Sequence, residues 1–269
     1  MISRNNNNIV KTSNNSDGIL RITLNNPKNH NALSEEMMLN MQLSLDEAAS
    51  DKKIRVIIIS ADGPTFSAGH DLKELKNGRK NPDKGKAYFK DVMFKCSKLM
   101  QTIVNNPKPV IAEVAGVATA AGCQLVASCD LAYAGESARF ATPGVNIGLF
   151  CSTPMVALSR NVSNKHSMEM LLTGDLISSS KAAEIGLINK MINDNDLQNF
   201  VLERALKISK KSAMTLKIGK EAFYKQIDMT LSEAYDYASN VMVENMLKLD
   251  AEEGIDAFIN KRTPNWQDK

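Results

Sequence analysis

No two of the four cysteines, Cys96, Cys123, Cys129 and Cys151, are spaced as CxxC, and each sits among apolar or small residues. That spacing excludes a zinc knuckle and argues against a disulfide framework, so the thiols read as reduced and buried. His30 and His166 lack the sequence context of a metal site, and no metal is expected. Charge of one sign is missing too: 33 Lys and Arg stand against 30 Asp and Glu, which gives no support for a nucleic-acid partner. Any phosphate must then be met by local basic residues. No apolar run approaches the ~20 residues of a membrane span, and the N-terminus has no secretory apolar region, so no membrane partner is expected.

What is present suits one large domain, or one domain with an appendage, in a chain of 269 residues. Residues 1–16 are rich in asparagine and too polar to order themselves, and a disordered tail is expected. A mitochondrial presequence would be amphipathic and richer in Arg, so the expected location is cytoplasmic, with the mitochondrial matrix as the alternative.

Periodicity gives the elements. Residues 18–24 alternate as a half-buried strand that Asn25-Asn26-Pro27 ends. Ser34 is placed to cap a helix with Met37, Met38, Met41, Leu45 and Ala48 on one face, a stripe that reads as core. Residues 54–60 form a continuous apolar strand buried on both sides, and 88–104 a helix that Pro107 and Pro109 stop. The stretch 77–85 reads as a mobile loop, and Thr153 as the cap of a helix through residue 160. Strand and helix alternate up to residue 192, which argues for an α/β core. Beyond that the chain is helical, over 197–210, 213–224, 231–249 and 252–261. The shift places a boundary near residue 200, dividing a core of 17–200 from a helical segment of 201–269.

The centre of the chain is 111–153. There an apolar strand meets Gly116 and then the very small residues Ala118 to Cys123, which open an apolar helix. The first turn of a helix has unpartnered N–H groups and partial positive charge, and small side chains near Ala121 let one N–H reach a carbonyl oxygen that gains negative charge. A second donor is expected in the Gly-containing turn 66–72, directly after the strand at 56–60.

These stretches resemble the crotonase superfamily, the enoyl-CoA hydratase/isomerase family. The likeness runs from Asp17 onward through LNNPKNHNAL, FSAGHDLKEL, AAGCQLVASCD, TGDLISSSKAAEIGLINK and FINKRTPNW, in that order. It implies a spiral of strand, strand, helix units with a C-terminal helical segment that packs a homotrimer, or a dimer of trimers. It also implies a coenzyme A thioester as ligand, in lipid metabolism, and no permanently bound cofactor. The thioester carbonyl would lie between the N–H groups of His70 and Ala121, with Ala68, Asp71 and Leu72 in the same ligand-binding turn. Lys28 and Lys73 would stand near the ADP phosphates. Phe258 and Lys261 would reach the adenine end of a neighbouring subunit's ligand.

One departure stands out. Hydratases of this family use two glutamates as base and acid, and the aligned residues here are Gln124 and Gly144. An amide does not titrate and glycine has no side chain, so standard hydration is not expected, whereas thioester binding and enolate stabilisation are. Replacement proton carriers among nearby residues are Glu113, Glu136, Cys151, Ser152, Thr153 and, less favoured, the His70 imidazole. A binder without catalysis is the rival reading. The space over Gly144 is expected to hold an anion or water.

Overall fold

The computed structural model describes residues 9–269. Strand β1 (Val10–Asn14) pairs antiparallel with β2 (Ile19–Leu24), turned at Gly18 with φ +76°. This corrects the second half of the expected disordered tail. The polar side chains of β1 bury little, but its backbone groups are satisfied by the β2 ladder. The first eight residues of that tail lie outside the described residues.

Helix α1 (Glu35–Ser50) follows, with Ser34 accepting from the Met37 N–H as its cap and the five expected apolar residues buried. Then a unit repeats. Strands β3 (Val56–Ala61) and β4 (Thr65–Ser67) lead into α2 (Leu72–Gly78) and α3 (Lys86–Asn105). Strands β5 (Val110–Val114) and β6 (Val117–Thr119) lead into α4 (Ala121–Ser128), and β7 (Leu131–Gly135) and β8 (Arg139–Ala141) into α5 (Pro154–Leu158) and α6 (Asn164–Thr173). Short strand β9 (Ile177–Ser178), α7 (Ser179–Glu184) and β10 (Lys190–Ile192) complete the core, before α8 (Leu197–Ser209), α9 (Ala213–Gln226), α10 (Leu231–Met246) and α11 (Leu249–Ile259). The first strand of each unit joins a sheet of order β1-β2-β3-β5-β7-β10, the second a sheet of order β4-β6-β8-β9. Advancing one place in both sheets per unit, the chain winds a spiral.

The period of two along β3 divides the core. Ile57 and Ile59 face a cluster with α1, α3 and α4, whereas Val56 and Ile58 face α8 through Leu197, Val201 and Ala205. Helix α8 therefore belongs to the core, and a boundary near residue 200 would cut through it. The helical segment begins at α9. Two further expectations are corrected. Helix α2 takes the start of the 77–85 stretch, with Gly78 packed against the Tyr88 ring. Thr153 does not cap α5, because its own backbone is already helical (φ −75°, ψ −41°) and its hydroxyl has no cap bond.

Helix α9 buries no residue fully. What ties it to the core is Lys220, whose Nζ donates to Asp130 Oδ2 at 2.7 Å and to the Ile103 and Lys108 carbonyls at 3.0 Å each. Tyr224 donates to the other Asp130 oxygen at 2.9 Å. Burial pushes the Asp130 carboxyl up and the Lys220 amine down, and each is opposed by the other's charge. Removing one partner leaves an uncompensated buried charge. Lys220→Ala is expected to cost about 3–5 kcal/mol in urea unfolding, against under about 1 kcal/mol for an exposed ion pair.

Candidate active site

The spiral sets β4 beside β6 as parallel neighbours, so the turns after them meet. Gly69 has φ +85°, and a Cβ there would stand 3.0 Å from Ala121 N and 2.9 Å from Ala120 Cβ. A Cβ on Gly122 would collide with the Ser67 carbonyl oxygen. Only two glycines allow this approach. The structure thus joins the 66–72 turn to the start of α4, as the sequence led us to expect.

Both candidate donors are free. Leu33 N donates to Gly69 O at 2.7 Å and Ala68 N to His30 O at 3.0 Å, which fixes the turn around His70 without engaging its own N–H. Neither the His70 nor the Ala121 N–H finds an acceptor among the described residues. Ala120, which the sequence reading missed, is held at φ +50°, ψ −119°, a conformation glycine favours, with its N–H on Ala141 O at 2.9 Å. Such strain costs about 1–3 kcal/mol and persists where the surroundings enforce it. Every residue of α4 is buried, which supplies that enforcement. The run of small residues was the sequence signal for a close approach; it did not indicate the strain.

The other residues divide. Lys28, exposed in a 3-10 turn (Pro27–Asn29), sits on the loop bonded to the His70 turn. Lys73 is exposed in the first turn of α2, which Asp71 caps by accepting from Lys73 N and Glu74 N. Leu72 is half exposed at the same place. Phe258, 86 % exposed, lines an apolar groove of about 600 Å³ with Ile255, Ile259, Met246 and Trp266, to which the hole segments contribute nothing. Lys261 follows α11 with φ +53°.

Gln124 is 5 % exposed with its Oε1 4.0 Å from Cys96 Sγ. Gly144 is buried, and the space expected for an anion or water holds Cys151. Gly144 N donates to the thiol Sγ at 3.3 Å, and a Cβ on Gly144 would meet that sulfur at 2.9 Å and Leu149 O at 2.7 Å. Burial raises the Cys151 thiol above its ordinary value, against the smaller pull of the Gly144 N–H, so it is no thiolate at neutral pH. Glu113 is withdrawn, its two oxygens held by Arg21 at 2.6 and 2.9 Å. The exposed Glu136 offers backbone oxygen to Arg139 and Ser179. Ser152 and Thr153 lie in the loop before α5, Ser152 bonded locally to Phe150 O. Among the described residues no metal-holding cluster occurs.

His70 is different. Both ring nitrogens are shielded from solvent, with the Leu33 backbone as the ring's hydrogen-bond neighbour, and the buried Thr142 hydroxyl, two residues before Gly144, has no partner among the described residues. Burial lowers the His70 imidazole below its ordinary value, against the smaller opposite effect of a hydrogen bond to the Leu33 backbone, which favours the neutral ring at physiological pH.

Gly144 lacks a positive φ, so alanine there would ordinarily stabilise by about 0.4–1 kcal/mol. The crowding reverses the sign: Gly144→Ala is expected to destabilise by about 1–3 kcal/mol. Cys151→Ala in the same chain should recover part of that loss in a double-mutant cycle followed by urea unfolding.

The sequence matches the enoyl-CoA hydratase/isomerase family over residues 14–269. It is similar to enoyl-CoA hydratase domain-containing protein 3, mitochondrial, of Homo sapiens, at 49% identity over 93% of this chain and 81% of the relative. The Rattus norvegicus protein of that name is 48% identical over 93% and 82%. The crystal structure of the human protein superposes with a TM-score of 0.91 at 46% identity, covering 96% of this chain and all of that one. An enoyl-CoA hydratase from Mycobacterium smegmatis gives 0.92 at 42%, over 96% and 98%. Both of these relatives are named mitochondrial proteins, whereas the expected location of this chain was cytoplasmic. With a family match spanning nearly the whole chain and the two turns meeting at Gly69 and Ala121, the chain belongs to the enoyl-CoA hydratase/isomerase family, the crotonase superfamily.

Proposed function

We propose that this protein binds an acyl-CoA thioester and stabilises its enolate between the His70 and Ala121 N–H groups, without being an efficient standard enoyl-CoA hydratase. The observation that carries this reading is the pair of unengaged N–H groups brought together by Gly69. Fixed main-chain donors need no reorganisation when charge develops on the thioester oxygen. The electropositive start of α4 adds to them. Lys28 and Lys73, on the two segments flanking the His70 turn, serve the phosphates as mobile counter-charges.

The exposed apolar side chains of α9, α10 and α11, among them Phe223, Leu231, Tyr235, Met242 and Phe258, support assembly through this segment. We propose a homotrimer or dimer of trimers, in which Phe258 and Lys261 of one chain reach a neighbour's ligand. The relatives' names support the mitochondrial matrix as its place. The thiol packed over Gly144 supports a rival reading, a binder that performs no chemistry, which shares the ligand but not the turnover.

Two measurements test the reading. Calorimetry should find butyryl-CoA bound about 10-fold more tightly than the S-butyl thioether of CoA, which has no carbonyl oxygen for the two N–H groups; two neutral bonds are worth about 0.5–1.5 kcal/mol each. Equal affinity would remove the hole. Hydration of crotonyl-CoA, followed by loss of enoyl absorbance, should run several powers of ten below a standard hydratase, since each proton carrier contributes about 10²–10⁴-fold. Brisk hydration would contradict the account.

A further inference from the structure

We propose that the outer face of α3, with the loop that precedes it, docks the protein peripherally on an anionic lipid bilayer. This is independent of the acyl-CoA reading. No helix among the described residues is long and apolar enough to cross a membrane, but a surface contact needs no span.

Charge carries the proposal first. Residues 73–98 hold nine Lys and Arg against three Asp and Glu, in a chain whose whole balance is only +3. The remainder of the chain is therefore net negative. The three acids leave the patch unneutralised: Glu74 accepts from Glu35 N at 3.0 Å, Asp83 from Gly85 N and Ala87 N at 2.9 and 2.8 Å, and Asp91 pairs with Lys95. Of the nine cations, Lys95 alone forms an ion pair among the described residues.

Geometry carries it second. Lys86, Lys90, Phe94 and Lys98 recur every four residues, which sets them on one stripe of α3, opposite the buried Val92, Cys96, Leu99 and Ile103. All four are exposed, Phe94 to 67 %, and Lys90 Nζ stands 5.8 Å from the Phe94 ring centroid. The loop before α3 adds the exposed Arg79, Lys80 and Lys84. It is already held in place, by Gly78 against the Tyr88 ring, by Arg79 at 5.4 Å over the Phe89 ring and by the Asp83 bonds, so docking orders no new chain.

An aromatic ring set among lysines suits a helix lying in a bilayer interface. The ring enters the headgroup and acyl boundary, while flexible stems keep the ammonium groups with the lipid phosphates. From residue 86 to 98 the cations run along about 18 Å of helix, an extended field and not a point that grips one free anion. A soluble anion would also gain nothing from the exposed ring. A second copy is disfavoured, because a two-fold contact through this stripe sets lysine against lysine.

The test is co-sedimentation of the full chain with vesicles of phosphatidylcholine containing about 30 % phosphatidylglycerol, beside vesicles of phosphatidylcholine alone. The parent should bind the anionic vesicles, leave them as salt rises, and ignore the neutral ones. The triple variant Lys86→Gln, Lys90→Gln, Lys98→Gln should bind at least about 30-fold more weakly, since each cation at a charged surface counts about fivefold. Phe94→Ser should weaken binding about fivefold with the charge unchanged. A control, Lys165→Gln, Lys207→Gln, Lys210→Gln, removes the same charge from exposed positions elsewhere and should stay within about threefold of the parent. Circular dichroism verifies the folding of each variant. A parent that does not bind the anionic vesicles overturns the proposal, as does unchanged affinity in Phe94→Ser or in the α3 triple variant, or an equal loss in the control. Release from the vesicles by inorganic phosphate at constant ionic strength would make a soluble anion the occupant and overturn it as well.

Discussion

The contact of two turns through bare main chain is the constraint on which the site depends. Gly69 lies on Ala121 N and Gly122 on the Ser67 carbonyl, at separations no side chain would allow. Each turn comes from a different unit of the spiral, and only the pairing of β4 with β6 sets them side by side. The strain at Ala120 is held by a helix buried on all faces and by the bond from its N–H to Ala141 O. Sheet topology, glycine placement and backbone strain thus converge on two N–H groups that the fold leaves unengaged.

Around that main-chain frame the buried side chains offer no free carboxylate at Gln124 or Gly144. Gln124 has nearly the volume of a glutamate but an amide that does not titrate. At Gly144 the space a side chain would take is filled by Cys151, whose sulfur accepts the Gly144 N–H at 3.3 Å. Introducing a carboxylate there must displace both the thiol and the Leu149 carbonyl, so the packing of the 144–151 loop selects glycine. Affinity and chemistry are separable in the site proposed above: main-chain donors and lysines would set binding, while turnover would depend on a group that moves a proton.

Much of this was legible in the sequence, for reasons specific to each residue. The Ser34 cap and the methionine face of α1 follow from helical spacing, and β3 from an unbroken apolar run buried on both sides. The two turns were found because glycine and alanine clusters follow apolar strands. What stayed hidden depended on contacts far apart in the chain. Polar Val10–Asn14 reads as tail because its order comes from β2, and α8 reads as part of a helical appendage because nothing local shows that its apolar face covers the main sheet. Cys151 over Gly144, Glu113 on Arg21 and Lys220 on Asp130 are likewise tertiary facts. Spiral winding came from family resemblance, since periodicity does not say which sheet a strand joins.

The most direct test of the account is a crystal structure with butyryl-CoA bound. The account predicts the thioester oxygen about 2.7–3.1 Å from both His70 N and Ala121 N. A thioester oxygen bound to neither N–H, with the ligand lying elsewhere on the protein, would contradict it.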